Sequence, residues 1–326
     1  LKELTYVDAL NEALREEMLR DERVFIIGED IGIYWEGAFK VTKGLAKEFG
    51  TERVRDTPIS EACIVGAAVG AAMTGMKPVA EIMFGDLLAL AMDQIANQAA
   101  KIHYMFGGQL KVPVVVRSPF GVSHSIAAHH SQSLEALFMH TPGLKMAVPS
   151  IAYDAKGLLK TAIRGDDPVM FFENKLCYTT KSMIPDGEYL IPFGKADVKR
   201  EGNDVTVFAT FWMVHQALKA ADVLAKKGID VEVIDPRTLV PLDKEAIIKS
   251  VKKTGRILIV EEDCKTCGVG AEIAAIVAEE AFDYLESPIK RIAEPDTPIP
   301  FSPVLENYVI PDDKAIVKGV EDLMEG

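Results

Sequence analysis

Basic charge is in short supply in this chain. Its 36 Lys and Arg face 49 Asp and Glu, giving a net charge of −13 at pH 7 and a pI near 5.0. That balance argues against a nucleic-acid partner, since phosphate backbones select basic faces. It suits a basic protein partner. Cysteine is also sparse. Four thiols, at 63, 177, 264 and 267, cannot staple a chain of 326 residues, and a reducing cytoplasmic location fits best. No apolar run reaches the roughly 20 residues of a bilayer span; the longest covers 62–76. The opening Leu1-Lys-Glu-Leu-Thr-Tyr6 is mixed in charge and carries no signal-peptide pattern. GxSxG, HExxH and Walker motifs are absent. So is a Gly-Asp-Gly with a distant Asn, the pattern that holds magnesium and a diphosphate; Gly85-Asp-Leu87 does not supply it.

What is present is a regular alternation. Apolar positions 7, 10, 14 and 18 define an amphipathic helix over 5–20. Val24-Phe-Ile-Ile-Gly-Glu-Asp30 reads as a short strand buried on both faces. Helices are expected over 39–49, 61–75, 87–102, 133–140 and 152–164, with strands at 77–84, 112–118, 145–149 and 169–173, and 54–57 leading into the second of those helices. Strand and helix at this spacing predict an α/β fold on a parallel sheet, with ligands at the carboxyl ends of its strands. Apolar runs thin out over 174–203. A linker is placed at 189–200, between a first domain, 1–188, and a smaller α/β domain, 201–326. The second domain repeats the pattern: strands near 205, 231 and 257, helices over 213–227, 243–253 and 268–284. A proline-rich run, Glu294 to Pro303, and a short helix over 312–324 end the chain.

The first domain turns on Arg55-Asp-Thr-Pro-Ile-Ser-Glu61, followed by a glycine- and alanine-rich helix. Glycines 66 and 70 would let that helix approach a neighbour closely. Glu61 has two readings: a first-turn acid complementing the helix dipole, or a half-buried carboxyl that shares a proton with a ligand. The loop 119–131 follows a strand end and carries His124, His129 and His130. Adjacent histidines point different ways, and no acid or cysteine completes a zinc spacing nearby. Cys264-Lys-Thr-Cys267 lacks a second pair and reads as two ordinary thiols. Gly268-Val-Gly-Ala-Glu-Ile273 is a partial dinucleotide fingerprint with isoleucine in place of the third glycine, favouring a helix packed close to the sheet.

Taken together, and in order, the motifs carry a resemblance. They are Asp56-Thr-Pro-Ile-Ser-Glu61, Asp93-Gln-Ile95, Ala99-Ala-Lys101, His130-Ser-Gln-Ser133, Pro142-Gly-Leu-Lys145, Asp154-Ala-Lys-Gly157, Asp235-Pro-Arg-Thr-Leu239 and Val269-Gly-Ala-Glu-Ile273. Over essentially its whole length the chain resembles the beta subunit of the thiamine-diphosphate-dependent decarboxylase component of 2-oxo acid dehydrogenase complexes. Glu81-Ile-Met-Phe-Gly-Asp86, Lys101-Ile-His-Tyr-Met105 and Gln132-Ser-Leu-Glu-Ala-Leu137 look most like the acetoin dehydrogenase branch, with pyruvate dehydrogenase close by.

The resemblance implies a pyrimidine-binding domain, a transketolase C-terminal-like domain and an α2β2 heterotetramer with an alpha subunit. It implies thiamine diphosphate, with Mg2+ ligands on the alpha subunit. Glu61 matches the glutamate that bonds N1′ of the aminopyrimidine, favouring the imino tautomer that generates a thiazolium ylid. His130 matches the histidine of the HSQ motif and would orient substrate and relay protons during acyl transfer to the lipoyl arm. Ile59, Met83 and Leu87 match the pyrimidine pocket; relatives often place an aromatic ring at 87. Val114, Ala162, Ile163, Gly165 and Asp167 match a potassium site built largely from main-chain carbonyls, where relatives often have Asp at 165 and Asn at 167. The implied partners are the peripheral-subunit-binding and lipoyl domains of a dihydrolipoyl acyltransferase, with no nucleic acid and no membrane. Two rivals are a nicotinamide-linked reductase using Gly268–Ile273 and a non-catalytic scaffold; retention of Glu61 and His130 argues against the second.

Overall fold

The structure, a computed structural model, describes residues 1–123 and 125–325. His124 of the histidine loop lies outside the described residues. The chain divides into two compact units: Leu1–Phe120 with Leu137–Phe193, and Gly121–Ala136 with Gly194–Gly326. The stretch 121–136, expected to belong with the first domain, groups with the second. No helix among the described residues is long and apolar enough to cross a membrane.

Six parallel strands carry the first unit. They lie in the order Lys145–Ala147, Val169–Asn174, Val115–Phe120, Lys77–Glu81, Val24–Glu29 and Val54–Thr57. Every residue of the four central strands is buried. That explains why their sequences run apolar instead of alternating. The helix Tyr6–Arg20 starts where the Thr5 hydroxyl accepts the Asp8 N–H at 3.1 Å. It packs along Ala152–Arg164. Lys156 bonds Glu12 and Glu16 across that seam, at 2.9 and 2.7 Å.

Three departures from the sequence reading have visible causes. Of the helix expected over 39–49 only Leu45–Phe49 forms, because Lys40 and Gly44 sit at φ +65° and +78° and interrupt it. The long helix expected over 87–102 is broken into a 3₁₀ turn at Gly85–Ala91, a π-helical stretch at Asp93–Ala99 and an α-helix at Ala100–Met105. Its start is pinned at Gly85, where an added Cβ would sit 2.4 Å from the Phe120 ring. Residues 174–203, which look featureless in sequence, contain two strands. Lys181–Ile184 pairs antiparallel with Lys2–Thr5, and Asp197–Arg200, inside the expected linker, joins the second sheet.

That second sheet runs Lys290–Glu294, Ile257–Cys264, Val205–Ala209, Val231–Asp235 and Asp197–Arg200, the last antiparallel. Its core is aliphatic, from Val207, Val233 and Leu258 to Ala217, Ile316 and Val320 on the covering helices Trp212–Ala225 and Asp313–Glu325. The helix Lys244–Thr254 is capped by the Asp243 carboxylate and closed by Gly255 at φ +69°. The proline-rich tail yields a helix not expected there, Pro303–Val309, which uses its proline in the first turn.

Candidate active site

At the carboxyl edge of the first sheet, three neighbouring strands end together. Glu29 stands opposite Thr57, and Gly28 opposite Glu81. The Asp56 carboxylate accepts the N–H groups of Ile31 and Gly32 at 3.0 and 3.3 Å, fixing the loop beyond Glu29. Glu61 opens the helix Glu61–Met73 and is only 6% exposed. Ser60 makes no side-chain cap bond, so the free N–H groups of the first turn remain for a carboxylate or a ligand. Burial, then the nearby charges of Glu61 and Asp30, make Glu29 hold its proton more firmly than an ordinary glutamate. Glu29 Oε2 and Thr57 Oγ1 are buried and have no hydrogen-bond partner among the described residues. Two such atoms beside Glu61 suit a polar heterocycle docking at this edge. Ile59 is exposed, while Met83 and Leu87 are half-buried, all in this unit. Ile33, Tyr34 and Trp35, on the loop after Glu29, also stand in solvent. The close approach expected of Gly66 and Gly70 is not used among the described residues: Gly66 meets only Gln94, at ordinary contact distance, and Gly70 has open space.

Behind this edge lies a buried ionic network that the motifs did not disclose. Arg117 donates to Glu173 twice, at 2.6 and 2.8 Å, and to Glu81 at 2.7 Å. The Tyr178 hydroxyl donates to Glu173 at 2.8 Å. Burial pushes Glu173 up and Arg117 pulls it down; the net direction is upward. Tyr178 is raised well above an ordinary phenol by burial and by Glu173. The sequence does hold a signal for the network. Arg117 and Glu173 are the charged residues of two largely apolar strands, and a charge inside a doubly covered strand needs a partner on the next one.

In the second unit, His129 is exposed and His130 half-buried. Their loop takes left-handed conformations at Ser125 and Ala127, and the His130 N–H donates to Ala127 O at 3.3 Å. The loop's start is held by the Val122 N–H, which donates to the Glu262 carboxylate. At its end Glu135 is buried against Asp263, Glu262 and Glu261 and, chiefly through burial, is raised well above the usual carboxylate range. The Gly268-Val-Gly270 pair finds its role here. An added Cβ on Gly270 would meet Glu261 Oε1 at 2.5 Å, and the Gly270 N–H donates to Glu261 Oε2 at 2.7 Å. The close approach that resembled a dinucleotide fingerprint therefore serves an internal carboxyl. Cys264 is pushed up by burial, then by Asp263 and Glu294, which makes it a weak nucleophile. No group of three His, Cys, Asp or Glu that could hold a metal occurs among the described residues.

Burial raises Glu261 and Asp263 to about 7 and Glu294 to about 9. The folded state thus keeps protons that the unfolded chain releases near 4.5 for Glu and 3.8 for Asp. Their stabilising effect is fully present below pH 4 and is lost as pH climbs through 7 and then 9. Denaturant midpoints measured from pH 5 to 9 should fall with rising pH, and Glu294→Gln should flatten the alkaline end of that fall. An unchanged slope in the variant would remove Glu294 from the account.

The five positions matched to a potassium site are all in the first unit, and the carbonyls of Val114, Ala162 and Gly165 are engaged. Val114 O accepts the Val169 N–H at 2.9 Å, and Ala162 O accepts the Gly165 N–H at 3.2 Å. Gly165 O accepts the Lys77 ammonium, which also reaches Arg164 O at 3.3 Å. Ile163 is buried, and the Asp167 carboxylate pairs with Lys145 at 2.6 Å. A second monovalent cation on Gly165 O would lie about 4–5 Å from that ammonium, a repulsion on the order of 3–4 kcal/mol at an effective dielectric near 20.

Sequence comparison agrees with the fold. Residues 2–181 match the family described as "Transketolase, pyrimidine binding domain", and residues 194–316 match "Transketolase, C-terminal domain". Together they define the two-domain chain of transketolase-like, thiamine-diphosphate-dependent enzymes. A solved structure titled "Split gene transketolase, inactive beta4 tetramer" superposes with a TM-score of 0.81 over 99% of this chain and 98% of that one. At 23% identity it speaks to the fold alone. The chain is 51% identical over 328 residues to the acetoin:2,6-dichlorophenolindophenol oxidoreductase subunit beta of Bacillus subtilis, covering 97% of this chain and 96% of the relative. It is 48% identical to the 2-oxoisovalerate dehydrogenase subunit beta of the same organism, covering 99% of each. It is also 48% identical to the pyruvate dehydrogenase E1 component subunit beta of Rickettsia felis, covering 98% of each. The chain belongs to the family of beta subunits of thiamine-diphosphate-dependent acetoin and 2-oxo acid dehydrogenases.

Proposed function

We propose that the chain is the beta subunit of an acetoin dehydrogenase, cleaving acetoin and passing the two-carbon unit to the lipoyl group of a dihydrolipoyl acyltransferase. The observation that carries the chemistry is Glu61, buried at a sheet edge beside the orphan atoms of Glu29 and Thr57. Thiamine diphosphate, when bound, supplies a nucleophilic carbon and an electron sink for cleaving the bond beside a carbonyl. Glu61 would share a proton with N1′ of the aminopyrimidine. Glu29 stands beside it, its carboxyl raised by burial and then by the charges of Glu61 and Asp30. Ile59, Met83 and Leu87 would give the ring apolar walls. His130 would orient substrate and move a proton during acyl transfer. The chain has no motif for magnesium and diphosphate, so those ligands fall to an alpha subunit in an α2β2 assembly. The peripheral-subunit-binding domain of the acyltransferase is the further partner.

Acetoin is favoured by the 51% relative and by the Glu81-Ile-Met-Phe-Gly-Asp86 stretch. The 48% relatives support pyruvate or a branched-chain 2-oxo acid as the second reading. Co-production with the alpha partner, followed by acceptor-linked turnover on acetoin, pyruvate and 2-oxoisovalerate, separates them. Turnover on acetoin at least ten-fold above the other two is expected, with none from the single chain. A preference for a 2-oxo acid keeps the family and moves the substrate. Turnover by the chain alone would end the split-site reading.

A further inference from the structure

A helix ends with carbonyl oxygens that lack intrahelical partners and with the negative pole of its dipole, so its C-terminus attracts a cation. The helix Ala152–Arg164 meets that need from within the chain. Lys77, the first residue of a central strand, is 8% exposed and sends its ammonium to Gly165 O, to Arg164 O at 3.3 Å and to Asp166 Oδ1 at 3.5 Å. Burial works against the charge on Lys77 and Asp166 works for it; Arg23 and Asp21 also act on it, with opposite signs. Two further lysines, from other segments, reach the same turn: Lys111 bonds Asp166 at 2.6 Å and Lys145 bonds Asp167 at 2.6 Å. Three ammonium groups therefore face two carboxylates over residues 165–167, and position 165 is a glycine that adds no charge of its own.

We propose that the Lys77 ammonium is the resident cation of this carbonyl cluster and that this chain does not use the potassium ion its family resemblance implies. A free ion would have to share Gly165 O with an ammonium already bonded there, in a turn whose charge balance is already cationic. The tether gives Lys77 an advantage over any ion in solution: its effective concentration is fixed by the chain and does not fall on dilution.

The test uses the full chain, alone and together with its alpha partner, at constant ionic strength. Thermal midpoints are compared in potassium chloride and in tetramethylammonium chloride, whose cation is too large for the cluster. The wild-type midpoint should agree between the two salts to within about 1 °C. Lys77→Met should lose about 4 °C or more in tetramethylammonium and regain part of that loss in potassium, because the carbonyls are then open to an ion. A wild-type gain of several degrees specific to potassium would overturn the proposal. So would a Lys77→Met variant as stable as the parent in tetramethylammonium, or one that potassium does not help. Should Lys77→Met not fold, crystals of the wild type soaked in rubidium give the answer directly. Anomalous density on Gly165 O would refute the assignment, and none there supports it.

Discussion

Glutamine in place of Glu61 is expected to lower turnover of the assembled enzyme by about 10²–10⁴-fold, the range for losing a positioned proton-transfer group. Assembly and thermal midpoint should change little. The side chain keeps its size, and the first turn keeps a group that accepts hydrogen bonds from free N–H groups. Cofactor binding can be read separately, by calorimetry on the alpha–beta assembly, so a loss of proton sharing is distinguished from an empty site. A variant retaining a third or more of parental turnover would make Glu61 a dipole-complementing first-turn acid and nothing else.

The second large effect is structural. Arg117→Met should strand Glu81 and Glu173, both buried, without their shared cation. Breaking a buried pair from one side costs about 3–5 kcal/mol, which lowers the midpoint of a unit this size by roughly 6–20 °C. The deficit should depend on pH in a fixed direction. Glu173 is already raised by burial, and losing Arg117 removes the opposing pull. Its folded-state proton is then held more firmly, so stability is fullest below the unfolded value near 4.5 and is lost as pH rises. Melting at pH 5 and pH 8 checks this: the gap between variant and parent should be smaller at pH 5. A gap that is equal at both, or larger at pH 5, would mean that the carboxylates are not the seat of the damage.

These two residues also mark what sequence could and could not disclose. Glu61 stands out as a candidate because it heads an apolar helix, a local pattern that needs no knowledge of which strands are neighbours; the role proposed for it comes from the family resemblance. Arg117, Glu81 and Glu173 lie 36 and 56 residues apart in pairs and meet only through strand order. A single sequence does not print that order. The broken helix at 85–105 is hidden for a similar reason: its first residue, Gly85, lies against the Phe120 ring of another strand, with no room for a Cβ. The second unit shows the converse. Gly268-Val-Gly270 was visible, but the group it makes room for, Glu261, lies seven residues earlier at its nearest and becomes relevant only once the strand and helix close on each other.

Ile33, Tyr34, Trp35 and Ile59 raise a matter of supply. Tyr34 is 94% exposed and Ile59 81%, on the edge that holds Glu61. On the proposed reading the alpha subunit covers them. A copy made in excess of alpha then carries a naked aromatic loop, and the next unpaired copy offers a similar one. Self-association grows with the square of that surplus, so a small imbalance in synthesis is tolerated and a large one precipitates. On that reading, matched expression of the two subunits is a condition of remaining in solution as well as of turnover.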